Sequence, residues 1–363
     1  MKGYLVIEDG TIYAGETFGS QSERFGELIF NTSMTGYQEI LYDPSYKGQI
    51  VVMTYPLIGN YGVNSQDIES YKIHLEGFVV REKSKIYSNW RAEKSLDQIF
   101  NEHGITGIEG VDTRKITELL RDKGAQKAGI FVGEQDKRQM LEKVKKSLPI
   151  VGRDMVKYVI KNQPFTWNNQ GKYKVVVIDC GVKYNTLRLL AEKNLQVVVY
   201  PASAPYQEID REKPDGILIS NGPGDPEPLT YVVNTVSNLV EKYPMFGICL
   251  GQQILGQVFG GKTYKLKFGH HGANHPVKDL KTGRISITVQ NHGFCVDINS
   301  IKDPDIKITH INLNDQTLEG IQHKKLPVFS VQFHPEDAPG PQDARYLLEK
   351  FYMMIEHGKK NRH

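Results

Sequence analysis

Apolar and polar positions alternate in two different ways along this chain, and the change from one to the other divides it. Up to about residue 150 the apolar runs are short and scattered, as in Tyr4-Leu5-Val6-Ile7 and Gly26-Glu27-Leu28-Ile29-Phe30, with Asp-Gly and Gly-Ser turns between them. Short strands are predicted there. One helical stretch stands out at Lys115 to Lys123, where Ile116, Leu119 and Leu120 share a face and Asp112 and Thr113 precede as caps. The region 1–150 therefore reads as a mixed α+β domain.

A polar segment follows. KNQPFTWNNQG has no sustained apolar period, and 151–171 is predicted to be a linker. Beyond it, over 172–363, strand and helix patterns alternate: Val175 to Ile178, a helix from Tyr184 to Glu192, Val197 to Val199, Ile217 to Ile219, a helix near Tyr231 to Glu241, Met245 to Ile248, and a helix from about Leu250. Such alternation argues for an open, mostly parallel sheet flanked by helices. Strands at Ile285 to Val289, Ile306 to His310 and Val328 to Val331 come before a last helix near Asp343 to Ile355.

Composition narrows the class. Hydrophobic residues form 39% and charged residues 24% of 363, as in ordinary globular proteins. The 45 basic and 42 acidic residues are well mixed, giving a net charge of +3 and no basic block for nucleic acid. No apolar run reaches the roughly 20 residues that cross a bilayer, and Glu8 and Asp9 end the first apolar run too early for a signal peptide. Three widely spaced cysteines, Cys180, Cys249 and Cys295, suit a reducing compartment better than a disulfide framework or a zinc site. A cytoplasmic location is expected.

The strongest chemical signal is Met245-Phe246-Gly247-Ile248-Cys249-Leu250-Gly251, an apolar strand that runs into a G-x-C-x-G turn and a helix. A nucleophile on a sharp strand-to-helix turn needs small neighbours, and the helix start aims free amides and positive dipole at the sulfur, which favours thiolate. Cys249 is the candidate nucleophile. A thiol needs a base, and that base needs a group that fixes its tautomer. In FSVQFHPE, His334 lies just past a strand and Glu336 two residues on. Among 11 histidines His334 is singled out by this rigid support and adjacent carboxylate. His270, His271 and His275 lack neighbours at metal-ligand spacing and are not read as a metal site. SNGPGDP, Ser220 to Pro226, follows a strand where a parallel sheet places ligand loops. The dinucleotide G-x-G-x-x-G pattern does not occur, and no nucleotide site is expected in this chain.

Taken in order, SNGPGDP, FGICLGQQ and FHPE resemble the class I glutamine amidotransferases over about residues 172 to 358. The other half, through EDGTIYAGETFG, FNTSMTGYQEILYDPSY, MTYPLIGNYGVN and GVDTRKITELLRDKGAQ, is similar to the small chain of carbamoyl-phosphate synthase. KFGHHGANHPV and QNHGFCVD agree with it. The resemblance implies a Cys249-His334-Glu336 triad that hydrolyses glutamine through a thioester, with amides of Gly222 and Leu250 as the oxyanion hole. It implies glutamine binding by Ser45, Gly222, Gly224, Leu250, Gln253, Asn291, Gly293 and Phe294. The N-terminal domain would contact a partner and form part of the glutamine cleft. That partner would be a large synthetase chain, in a heterodimer or higher oligomer, which uses ATP and Mg to make carbamoyl phosphate from bicarbonate; no cofactor is expected in this chain. Arginine and pyrimidine synthesis both remain open as destinations. Gln252 departs from the His of many relatives. Two other readings compete: an amidotransferase subunit for another acceptor, such as anthranilate synthase, whose subunits lack this N-terminal domain, and a catalytically silent homologue, which would have lost Cys, His or Glu.

Overall fold

A computed structural model describes residues 1–360. The chain forms two compact units, one of Met1–Arg153 with Lys267–Gly272, the other of Asp154–Leu266 with the residues from Ala273 onward.

In the N-terminal unit the scattered short strands close into a seven-stranded barrel. Around it run Lys2–Ile7, Ile12–Gly19, Thr106–Glu109, Gly77–Val79, Gln49–Met53, Arg24–Asn31 and Gln126–Val132. Closure leaves no sheet edge open. Leu5, Ile7, Leu28, Ile50, Val52, Val79 and Ile108 form one apolar cluster with Ile116 and Leu120 of the helix Thr113–Lys123. That helix starts where the Asp112 side chain accepts from the Lys115 amide, and it stops at Gly124. Arg121 and Lys123 in its last turn suit the negative end of its dipole. Lys267–Gly272 joins this unit because the Ala125 amide donates to Lys267 O at 2.8 Å, the Thr32 amide donates to His271 O at 3.2 Å, and Phe268 packs on Phe30.

The C-terminal unit holds a ten-stranded sheet. Its first six strands are, in spatial order, Phe165–Asn168, Leu195–Pro201, Tyr173–Asp179, Gly216–Ile219, Met245–Ile248 and Val328–Val331. The last five of these are parallel to one another. Leu318–His323, Ile306–Asn312, Lys262–Asp279 and Ile285–Asp297 extend the sheet. The apolar runs are explained by the pleat: Val175 and Val177 enter one cluster, Val176 and Ile178 the other, so both faces are dry. Phe246 and Phe329 lie opposite each other on neighbouring strands and stack at 4.4 Å. Burial of each ring contributes on the order of 1.5–3 kcal/mol.

The structure departs from the sequence reading in three places. The segment predicted to be a linker contains the edge strand Phe165–Asn168, antiparallel to Leu195–Pro201, and Val156 in front of it is buried in the core. Phe165 and Trp167, two apart, pack on the core while the intervening Thr166 is exposed, a period-two pattern hidden among Asn and Gln. The strands Lys262–Asp279 and Leu318–His323 were not predicted, since their Gly, His and Asn content resembles loop. The final helix spans Tyr346–Lys360, later than expected. No helix among the described residues is long and apolar enough to cross a membrane.

Candidate active site

Parallel strands deliver their following loops to one edge of the sheet, and Gly222, Cys249, His334 and Glu336 all follow such strands. Cys249 is the turn between Met245–Ile248 and the helix Leu250–Val258. Its φ is +54°, a left-handed value that a residue with a Cβ rarely adopts. The Cys249 amide donates to Val331 O at 2.8 Å, which holds the turn against the neighbouring strand end. Close packing fixes the turn from below: a Cβ on Gly251 would stand 2.2 Å from Ile219 O, and one on Gly247 2.7 Å from Gly251 O. The expectation of small flanking residues thus has a steric cause. Leu250 is the first residue of the helix, so its amide has no intrahelical acceptor.

His334 follows the strand Val328–Val331, and its amide donates to Val289 O at 2.9 Å. Nδ1 lies 2.7 Å from Glu336 Oε1, with both side chains fully buried. The carboxylate accepts, so Nδ1 carries a proton. Nε2 is buried and has no hydrogen-bond partner among the described residues.

Glu336 is held ionised by a group that the sequence did not reveal. Burial by itself pushes its carboxyl up, but the Lys183 ammonium, first, and then His334 outweigh this and bring it down to about 2. Lys183 Nζ lies 2.9 Å from Glu336 Oε1, and both side chains are sealed from solvent. Lys183 also donates to the backbone oxygens of Asp337 and Ala338, and Asn185 Nδ2 donates to Glu336 O at 2.6 Å. Both residues follow the strand Tyr173–Asp179, on the same edge of the sheet. Their place after a parallel strand was the one available signal.

The SNGPGDP loop is anchored by its polar members. Ser220 Oγ accepts from the Cys180 amide at 2.9 Å, and Asn221 Nδ2 donates to Gly181 O at 2.9 Å. Gly222 fits where a Cβ would stand 2.2 Å from Cys180 O and 2.7 Å from the Leu250 side chain, so these two candidate oxyanion donors are neighbours. Gly224 takes φ +83°. Gln253, on the helix after Cys249, donates to Phe294 O at 2.9 Å and to Gln332 Oε1 at 3.2 Å. Asn291, Gly293 and Phe294 lie on the strand Ile285–Asp297, and Asn291 O is 3.6 Å from the Cys249 sulfur. A Cβ on Gly293 would meet open space. Gln252 turns inward, toward Leu318 O and Ser330. Ser45 belongs to the N-terminal unit, buried in the short turn Pro44–Tyr46 with its amide donating to Asp43.

Comparison with known proteins agrees with both halves. Residues 176–354 match the family described as glutamine amidotransferase class-I, and residues 5–130 match the carbamoyl-phosphate synthase small chain, CPSase domain. Carbamoyl phosphate synthase small chains from Akkermansia muciniphila and Aquifex aeolicus are 51% and 50% identical, over 99% and 97% of this chain and 99% and 98% of theirs. The small chain from Syntrophotalea carbinolica is 48% identical over 99% of this chain and all of its own. Identity at that level over the full length, with the cysteine elbow and the buried His334–Glu336 pair in place, leaves one conclusion: the chain belongs to the carbamoyl phosphate synthase small chain family, as its glutamine amidotransferase subunit.

Proposed function

We propose that Cys249 attacks the side-chain amide of glutamine, with His334 as base and Glu336 as the group that orients the base. The observation that carries this reading is the buried imidazole with Nδ1 bound to Glu336 and Nε2 without a partner. The thiol proton passes to Nε2 as a bond forms between sulfur and the amide carbon. Amides of Gly222 and Leu250 stabilise the oxyanion. As the carbon–nitrogen bond breaks, the imidazolium returns the proton to nitrogen and ammonia leaves. Water then attacks the thioester, gives a proton to Nε2, and glutamate departs with the thiol restored.

Gly224, Gln253, Asn291, Gly293 and Phe294 would hold the rest of the glutamine. Ser45 is assigned to it on family resemblance, and a Ser45→Ala variant with unchanged KM for glutamine would remove it from the set. The ammonia would serve a large chain that supplies the ATP and Mg chemistry on bicarbonate, in the cytoplasm. The test uses Cys249→Ser assembled with that large chain. Glutamine-dependent synthesis should vanish and ammonia-dependent synthesis should persist; normal glutamine turnover would remove Cys249 from the mechanism.

A further inference from the structure

Gln332 is fully buried two residues before His334, and none of the steps above uses it. Its side-chain nitrogen lies 3.6 Å from the Cys249 sulfur, within reach of a hydrogen bond to that large atom. Which end of the amide faces the sulfur follows from the neighbouring bonds. Phe294 O can only accept, so the Gln253 group 2.9 Å from it is the NH2. The same NH2 lies 3.2 Å from one end of the Gln332 amide, which must then be the oxygen. The other end, toward Cys249, is therefore a donor.

A donor aimed at sulfur acts on one protonation state more than the other. The thiol can give its proton to Asn291 O at 3.6 Å, a bond that exists only while sulfur holds a proton. The Gln332 amide gains most from a negative sulfur, because hydrogen bonds to charged groups are about twice as strong as neutral ones. In a site where Cys249 is 1% exposed, no bulk water replaces that donor.

We propose that Gln332 is a further catalytic residue, its side-chain amide stabilising the negative Cys249 sulfur as the thiol gives up its proton and again when sulfur leaves the thioester. This rests on Cys249 being the nucleophile. Gln253 has a role in it as well, since its two bonds set the Gln332 amide the right way round.

The experiment measures carboxamidomethylation of Cys249 by iodoacetamide from pH 6 to 10, read by mass on the Cys249 peptide, in the chain assembled with its large partner. Gln332→Met keeps the length and loses the donor. Its midpoint should move up by about one pH unit, and its rate below both midpoints should fall about tenfold, the scale of one hydrogen bond to a charged group. The plateau at high pH should stay. Gln332→Glu preserves the shape and the bond from Gln253 and places an acceptor at the sulfur, so its midpoint should rise at least as far; it decides the matter if the Met variant does not fold. An unshifted midpoint in a folded variant, or a slowing equal at every pH, would overturn the proposal. Full glutamine turnover by Cys249→Ser would instead sink the nucleophile reading, and the alkylation profile separates the two failures.

Discussion

Replacing Lys183 by Met tests the least expected part of the site. The ammonium sits 2.9 Å from Glu336 Oε1 with neither group in contact with water. At an effective dielectric of about 20, that distance gives an attraction of about 6 kcal/mol. Burial of the carboxylate opposes it. The carboxyl falls from an ordinary 4.5 to about 2, and at about 1.4 kcal/mol per pH unit the net of burial, Lys183 and His334 together is about 3 kcal/mol. Removing one partner of a buried pair costs a similar amount, roughly 3–5 kcal/mol. For a unit of about 200 residues this lowers the melting temperature by roughly 6–12 °C. The sign with pH is fixed, because the folded-state carboxyl is depressed. Its contribution is complete above about pH 4.5 and fades as pH falls through about 2, so the gap between the variant and the natural chain should be full at pH 7 and narrow below 4.5. Activity should drop on the order of 100-fold, since Glu336 must then protonate or leave His334 charged, and a misplaced imidazole costs about as much. Thermal melts between about pH 2.5 and 8 and glutamine turnover near pH 7 measure the two effects. A Lys183→Met chain that melts at the same temperature as the natural one at pH 7, or a gap independent of pH, would refute the reasoning.

Other outcomes follow from the same geometry. Burial pushes the Cys180 thiol well above its usual range and the Cys295 thiol up to about 12, so neither forms thiolate near neutrality; Ala at either position should keep glutamine turnover within a few-fold in steady-state assays. Gly222→Ala forces a Cβ to within 2.2 Å of Cys180 O, which shifts the proposed oxyanion donor and should lower kcat by roughly 100-fold or more while KM changes little. Trp167→Asp places a charge on the inner face of the edge strand Phe165–Asn168. It should lower the melting temperature measurably, whereas the same change in a true linker would leave it unmoved.

Some of this protein is written locally in its sequence. Continuous apolar runs such as Val175 to Ile178 report strands covered on both faces, because each side of the pleat must be dry. Gly247, Cys249 and Gly251 announce a tight turn at a helix start, and His334 and Glu336 are close enough in sequence to meet whatever the rest of the fold does. The remainder depends on contacts between distant residues. Lys183 reaches the backbone of Asp337 across 154 positions, and Gln332 reaches Cys249 across 83. Apart from their place after a strand, nothing near either residue marks it, since a lysine or glutamine there is ordinarily solvated. Their burial arises only when parallel strands bring separate loops to one sheet edge and exclude water. The closed barrel and the edge strand Phe165–Asn168 are decided in the same way, by pairing partners that lie far off in the chain, which propensity and period cannot choose.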